Sequence, residues 1–285
     1  MLKHKDFVAF ILTHGRADNL CTYQALQRAG YTGPIIFVVD NEDSTIDQYY
    51  SRFGKESVYV FNKTEKAKEV DTMDLIDDHK AIVFARNACF DIAKELGYTY
   101  FLQLDDDYSC FRSRLCVDNK LATIYVTNFD AIVDEVLSFL DASGAYTVAL
   151  SQTGDFIGGL GSKMYHDRLT RKAMNSFFCR TDKPIKFTGR MNEDVTTYVG
   201  EGSRGKLFFT IADVSLDQLQ TQSLSGGMSE SYSSFGTFTK TMYTIVSCPS
   251  SVQVSDMGPS HRRIHHRIDW DVAVPMIISD KFKKS

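Results

Sequence analysis

The sequence predicts an α/β fold built on an open, mostly parallel sheet, and three observations predict it. Short continuous apolar runs at Phe7–Leu12, Ile35–Val39 and Tyr98–Leu104 have the pattern of strands buried on both faces. Segments between them carry apolar residues at helical spacing. The strand and helix patterns alternate through about the first hundred residues, which is the rhythm of a sheet covered by helices.

Taken in order, Phe7–Leu12 (FVAFIL) is the first strand and stops at Thr13-His14-Gly15-Arg16. Asp18 and Asn19 offer N-cap chemistry to a helix through Tyr23–Leu26, which Gly30 closes. Thr32-Gly33-Pro34 turns the chain into Ile35–Val39, a second strand ending at Asp40. A third strand is expected around Val58–Phe61. Lys80–Leu96 places Ile82, Ala85, Cys89, Ile92 and Ala93 at helical spacing, Gly97 ends that helix, and Tyr98–Leu104 follows as a strand. Asn128–Leu140 reads as an amphipathic helix and Tyr146–Leu150 as a strand. Gly154–Ser162 holds four glycines, and Ser223–Gly236 is rich in Ser and Gly, too polar for a core and expected to form a mobile loop. No repeat or linker divides the chain, so one domain over residues 1–285 is expected.

Composition narrows the class only broadly. The 43% hydrophobic and 24% charged content is that of an ordinary globular chain. No run of eighteen apolar residues occurs, so no membrane span or membrane partner is expected. Met1–Asp6 leads straight into the first strand without a cleavage-site signature. The six cysteines form no C-x-x-C pair and read as reduced thiols, which points to a cytoplasmic protein. A net charge of −4 excludes a globally basic nucleic-acid coat, though not a nucleic acid as substrate.

In open α/β sheets ligands sit beyond the carboxyl ends of the strands. Thr13–Arg16, Asp40–Asp43 and Asp105–Tyr108 all lie there. Asp105-Asp106-Asp107 is the most informative of these, because three adjacent carboxylates repel one another and burying them is costly. A hard divalent cation, Mg²⁺ or Mn²⁺, relieves that repulsion and keeps coordination sites open for phosphate. Alternate residues of an extended segment point the same way, so Asp105 and Asp107 can share one ion, or one ion and a ribose.

Here the chain resembles glycosyltransferases of the GT-A fold, a nucleotide-binding mixed sheet flanked by helices with a less regular acceptor half. Their D-x-D motif binds the metal–diphosphate of a nucleotide sugar at the place held here by the acidic triplet. Thr13-His14-Gly15-Arg16 is similar to the family's nucleotide-binding start, and Asp40 to the carboxylate that accepts the base's N–H. Ala85-Arg86-Asn87 is similar to the A-R-N element that reaches the nucleotide sugar. Gly158-Gly159-Leu160-Gly161 resembles the glycine-containing loop near the acceptor. Asn192-Glu193-Asp194 resembles the x-E-D motif, whose carboxylate acts as general base or positions the acceptor. A C-terminal histidine often completes the metal shell in that family, and His261, His265 and His266 are available. The resemblance implies a nucleotide-sugar-binding half over residues 1–110 and an acceptor-binding half over 111–285. It implies Thr13, His14, Gly15, Arg16, Asp40, Arg86, Asn87, Asp105 and Asp106 on the donor side, with Gly158, Gly159 and Gly161 on the acceptor side. The metal would fall to Asp105 and Asp107 with one of the histidines, and the catalytic carboxylate would be Asp194 or Glu193.

The implied reaction is hexose transfer from UDP-glucose or another UDP-hexose to a hydroxyl, with the metal neutralising the departing diphosphate. The acidic triplet, N-E-D and the R-R-I-H-H-R-x-D-W run are similar to the bacteriophage glycosyltransferases found beside TET/JBP-type DNA-modifying dioxygenases, which are thought to glycosylate 5-hydroxymethylated pyrimidines in DNA. That resemblance implies hydroxymethylated DNA as partner, host cytoplasm as location, and a basic strip of Arg168, Arg171, Lys172, Arg180, Lys183, Lys186 and Arg190. The Ser/Gly-rich segment around Ser223–Phe235 would close over the donor. Three other readings compete: a GT-A enzyme acting on saccharide or protein hydroxyls, a nucleotidyltransferase, and a non-catalytic metal- or nucleic-acid-binding module. Thr13-His14-Gly15-Arg16 is a poor match to the Gly-rich basic signature of nucleotidyltransferases.

Overall fold

A computed structural model describes residues 1–76, 78–162, 164, 173–219, 238–257 and 263–273, the side chains of 257 and 263 excepted. The expected first strand forms over the expected residues. β1 (Phe7–Leu12) is buried at all six positions, so both of its faces are covered. β2 (Ile35–Asp40), β3 (Val58–Phe61) and β4 (Tyr100–Asp105) pair in parallel around it in the order β3-β2-β1-β4. Register aligns Leu12 with Val38 on one side and with Asp105 on the other. All four strands therefore deliver their C-terminal residues to the same edge.

Beyond β4 the sheet stops being parallel. β8 (Ser176–Arg180) runs antiparallel to β4, and β7 (Thr147–Gln152), β9 (Phe208–Gln218), β5 (Tyr108–Val117) and β6 (Lys120–Tyr125) follow in that order. The expectation of a mostly parallel sheet thus holds for its first four strands, and the complete sheet is mixed. Among the described residues it has nine strands. β10 (Val252–Met257) and β11 (Arg263–Ile268) form a separate antiparallel pair.

Two hydrophobic layers cover the sheet. One combines Leu26 of α1 (Cys21–Arg28), Tyr49 of α2 (Ile46–Phe53) and Val133, Leu137 and Leu140 of α5 (Phe129–Ser143) with Phe7, Phe178 and Leu102. The other sets Val83, Phe84, Cys89 and Ile92 of α4 (Val83–Glu95) and Val195, Tyr198 and Val199 of α6 (Glu193–Ser203) against Val8, Phe10 and Phe177. Between β3 and α4 lies the short α3 (Lys63–Ala67); α7 (Thr239–Ser247) and α8 (Trp270–Ala273) follow α6. Among the described residues no helix is long and apolar enough to cross a membrane.

Helix ends show which local signals the sequence carried. Asn128 caps α5 by accepting from the Ala131 amide at 3.2 Å, and Gly144 closes it in the left-handed region. α1 departs from expectation: its N-cap is Leu20, without a side-chain cap, instead of Asp18 or Asn19. The Thr22 amide instead donates to the Asp106 carbonyl at 3.2 Å, so the end of β4 satisfies the helix start. α4 begins at Val83, three residues later than expected.

Gly30 has φ +75°, and a Cβ there would sit 2.4 Å from the Thr127 carbonyl oxygen. Gly97 has a similar φ of +79° in open space. Gly30→Ala should lower unfolding free energy by more than about 1 kcal/mol and by more than Gly97→Ala does. Urea titration with unchanged m-values checks it, and equal losses at the two sites would contradict the close approach.

Candidate functional site

The strand ends frame a cavity of about 550 Å³. Leu12, Val38 and Phe61 form an apolar wall at one end, with His14, Asp40 and Lys63 beside it. Asp105, Asp106 and Asp107 line the middle, and Arg190–Asp194 line the far wall. Ten residues expected from the sequence meet here: Thr13, His14, Arg16, Asp40, Arg86, Asp105, Asp106, Asp107, Glu193 and Asp194.

Each aspartate of the triplet has a different set of partners. Asp105 accepts from Nη2 of Arg86 at 2.9 Å. Asp106 accepts from the Thr13 hydroxyl at 2.9 Å and from Nη1 of Arg16 at 2.7 Å. Asp107 accepts from Nε2 of Gln218, 3.1 Å from both its oxygens. Burial pushes the Asp105 carboxyl up to about 7; Arg86 opposes this, and Asp107, Glu193 and Asp106 reinforce it. Burial likewise raises Asp106 and Asp107, against Arg16 and Gln218 respectively. Arg86, Arg16 and Gln218 do not fully compensate the cost of keeping these three buried carboxylates charged.

Arg86, on the first turn of α4, is 1% exposed and joins two walls. Its Nε donates to Glu193 at 2.8 Å while its Nη2 holds Asp105, and its guanidinium packs 5.0 Å from the Phe177 ring centre. Among the described residues, the buried Nη1 of Arg86 has no hydrogen-bond partner. Asp194 accepts from the Val195 amide at 2.8 Å at the start of α6, where the helix dipole favours a carboxylate.

At the apolar end, Nδ1 of His14 lies 2.7 Å from Asp40, and Nζ of Lys63 lies 3.2 Å from it. Burial alone would raise Asp40, yet the His14 hydrogen bond and the Lys63 charge hold it below the usual carboxylate range. The hydrogen bond to Asp40 in turn raises His14.

Other expected residues lie off the cavity. Gly15 donates its amide to Asp43 at 2.7 Å. Asn87, one helical step from Arg86, braces the Phe187 backbone with 3.0 and 3.1 Å hydrogen bonds. Gly158, Gly159 and Gly161 form tight turns beyond β7. His265 and His266 sit on β11, and Nδ1 of His266 lies 3.4 Å from Nδ2 of Asn192, which does line the cavity. His261, Arg168, Arg171, Lys172 and the Ser223–Phe235 segment lie outside the described residues.

Of the expected basic strip, Arg190 lines the cavity and Arg180 does not. β8 pairs Ser176 with Leu104 but Arg180 with Tyr100, so the antiparallel run carries Arg180 to the opposite end of the sheet. There Arg180 pairs with Asp141 and Asp182. Arg190 is buried and paired with Asp74.

Sequence reasoning missed several residues of the site. Tyr49 relays a chain of hydrogen bonds: the Arg16 amide donates to its hydroxyl, which meets the Thr13 hydroxyl, each at 2.9 Å. The Thr22 hydroxyl donates to the Asp105 carbonyl at 2.6 Å and accepts from the Tyr108 amide at 2.9 Å, holding the acidic turn onto α1. Lys63, Lys80, Gln218 and Lys240 also line the cavity. None stands in a motif; only the position of Lys63 just past β3 gave a signal.

Among the described residues no group of three or more His, Cys, Asp or Glu is arranged to hold a metal by itself. The donor set still fits a hard divalent cation, which is commonly bound by one or two carboxylates and completed by phosphate oxygens and water. Asp105 and Asp107 are the carboxylates in place for it.

Residues 7–227 match the family model described as TET-associated glycosyltransferase. No curated protein matches. Among solved structures, S. aureus TarS 1-349 in complex with UDP-GlcNAc is 12% identical, covers 86% of this chain and 66% of its own, and has a TM-score of 0.49. Glucosyl-3-phosphoglycerate synthase from Mycobacterium tuberculosis, in complex with Mg²⁺ and UDP, is 9% identical with 93% and 91% covered and a TM-score of 0.49. The chain spans 59% of the length of the TarS fragment solved with UDP. The mixed sheet with an acidic turn at the end of β4 is the GT-A arrangement that the sequence implied.

The folded chain binds the Asp105 proton between the ordinary aspartate value of 3.8 and about 7, where the unfolded chain has released it. Stability should therefore fall as pH rises through that window. Asp105→Asn should flatten this slope, read as a smaller melting-temperature difference between pH 5 and pH 8 than in the parent protein. Parallel slopes would rule out Asp105 as the source.

Proposed function

We propose a reaction for a chain that belongs to the TET-associated glycosyltransferase family: transfer of a hexose from a UDP-sugar to the hydroxymethyl oxygen of 5-hydroxymethylcytosine in DNA. The observation that carries the reading is the joining of three features in one cavity: an apolar slot with a polar edge, the acidic turn of β4, and the Glu193–Asp194 pair opposite.

The uracil ring enters between Leu12, Val38 and Phe61, where Asp40 accepts its N3–H. The diphosphate lies over Asp105 and Asp107, which would hold Mg²⁺ or Mn²⁺. Bound there, the cation supplies Lewis-acid neutralisation of the leaving phosphate. Arg86 keeps Asp105 and Glu193 at a fixed separation, so donor and acceptor meet in one geometry. Its unpartnered Nη1 supplies a donor for the sugar or phosphate.

Glu193 is committed to the buried Arg86 guanidinium, which its Oε1 meets at 2.8 Å. Asp194 is the carboxylate we assign as base in an inverting transfer. The acceptor oxygen attacks the anomeric carbon, the bond from that carbon to the β-phosphate oxygen breaks, UDP leaves, and Asp194 takes the hydroxyl proton.

A second reading has its own observation. Arg180 stands at the far end of the sheet and Arg190 is paired with Asp74, so neither of these two members of the expected strip is presented to a DNA backbone. This favours a small hydroxyl acceptor, a saccharide or a free nucleotide. Salt separates the two, because a polyanionic acceptor loses affinity steeply between 50 and 200 mM salt.

Incubation with UDP-glucose, Mn²⁺ and hydroxymethylcytosine DNA should add a hexose mass to the DNA and release UDP. Asp194→Asn should lower kcat by about 10²–10⁴-fold. Glu193→Gln should weaken the Arg86 brace and lower kcat less. An Asp194→Asn enzyme with parental turnover, or a product of retained anomeric configuration, would remove Asp194 from the base role. Transfer to free nucleoside but never to DNA would favour the small acceptor.

A further inference from the structure

Three segments distant in sequence meet at one buried guanidinium, that of Arg190 on the far wall of the cavity. Nε and Nη2 of Arg190 hold the two oxygens of Asp74 at 2.8 and 3.0 Å. Nη2 also donates to the Ile76 carbonyl at 2.7 Å, and Nη1 donates to the Asp78 carbonyl. Backbone bonds run alongside, from the Gly189 amide to Asp71 at 2.9 Å and from the Arg190 amide to Thr72 at 3.0 Å. The third segment is α7, whose Tyr243 hydroxyl donates to Asp74 at 2.5 Å. Thr244, next in α7, accepts from Nδ2 of Asn192 at 3.0 Å.

Residues 71–76 and 78 are held by these polar bonds more than by burial. Leu75 at the tip is fully exposed and Ile76 is 40% exposed. The same segment continues into Lys80, Ala81 and Ile82 on the cavity wall, and α7 brings Lys240 to it. Two residues beyond Arg190, Asn192 takes a left-handed backbone, φ +57°, and launches α6 with Glu193 and Asp194 facing the cavity. Asparagine enters the left-handed region more readily than other non-glycine residues, and the bond from its Nδ2 to Thr244 fixes it there.

We propose that Arg190 is a positioning residue. Its guanidinium clasps the 71–78 strap and, through Asp74, Tyr243 of α7 to the turn that aims Glu193 and Asp194. The inference rests on the reading of those two carboxylates as the acceptor side. Loss of the clasp leaves the sheet core intact, because the strap buries little apolar surface, and lets the acceptor wall drift. A displacement on the order of 1 Å at a reacting group costs about 100-fold in rate.

The test combines hydrogen exchange with kinetics on Arg190→Gln, Arg190→Lys and Tyr243→Phe. In Arg190→Gln, amides of 71–79, 189–195 and 239–247 should exchange faster together, while those of β1 and β4 keep parental rates. kcat/KM for the acceptor should fall about 100-fold, with UDP affinity in the presence of Mn²⁺ changed less than about twofold. Arg190→Lys, still able to meet Asp74, should recover part of kcat. Faster exchange confined to 71–79 would overturn the proposal, as would UDP binding lost in step with turnover. Should Arg190→Gln not fold, Tyr243→Phe carries the same expectations with smaller changes. A parent protein that turns over no UDP-sugar would sink the reading of the site itself, and the exchange data would still decide the clasp.

Discussion

The Arg86 guanidinium between Asp105 and Glu193 is the constraint on which the rest of the cavity depends. One buried cation draws the end of β4 and the start of α6 to within hydrogen-bond distance of the same group, so these two walls of the cavity cannot move independently. Desolvating a guanidinium is expensive, and the two carboxylates offset that only while both remain in place. Phe177 and Phe187 close over its face, which excludes water and strengthens both pairings. Placement on the first turn of the thirteen-residue α4 means that a helix packed on the sheet fixes the position of the charge.

A second set of contacts secures the acidic turn from the opposite side. Thr22 ties the backbone at Asp105, Asp106 and Tyr108 to the first turn of α1. The chain from the Arg16 amide through Tyr49 and Thr13 ends on Asp106, which Arg16 also meets with its side chain. These neutral hydroxyls fix geometry without adding charge. Carboxylates whose charge is not fully compensated are therefore held at a rigid place, the condition under which a cation and a diphosphate bind with little rearrangement.

β1, β2 and β4 were legible because burial on both faces writes a continuous apolar run, and each is fully or almost fully buried. β5, β6 and β9 were not legible, since many of their positions are half-exposed and neither a run nor a strict alternation results. One signal there was readable: Asp118-Asn119 both take positive φ and close the β5–β6 hairpin, the residues a two-residue turn favours. The site was legible wherever chemistry sat at a strand end, as with Thr13, Asp40 and the triplet. Arg190 and Arg180 looked alike in sequence, as members of one basic stretch. Only the antiparallel course of β8, and the return of the chain to Asp74, separate a buried clasp from a surface charge at the far edge.

The partners of the triplet divide its labour. Asp106 is bound by a guanidinium and a hydroxyl of the β1 turn, which commits it to structure. Asp105 is bound by the guanidinium that spans the cavity and shifts only if both walls shift. Asp107 is met by a neutral amide, Nε2 of Gln218, itself the last residue of β9 and held by Nδ2 of Asn175 at 2.8 Å. Exchanging an amide donor for a divalent cation gains Coulomb energy and breaks no ion pair. Exchanging Arg86 or Arg16 would strand a buried charge. Of three chemically identical side chains in sequence, the fold thus leaves Asp107 as the one whose partner is cheapest to replace.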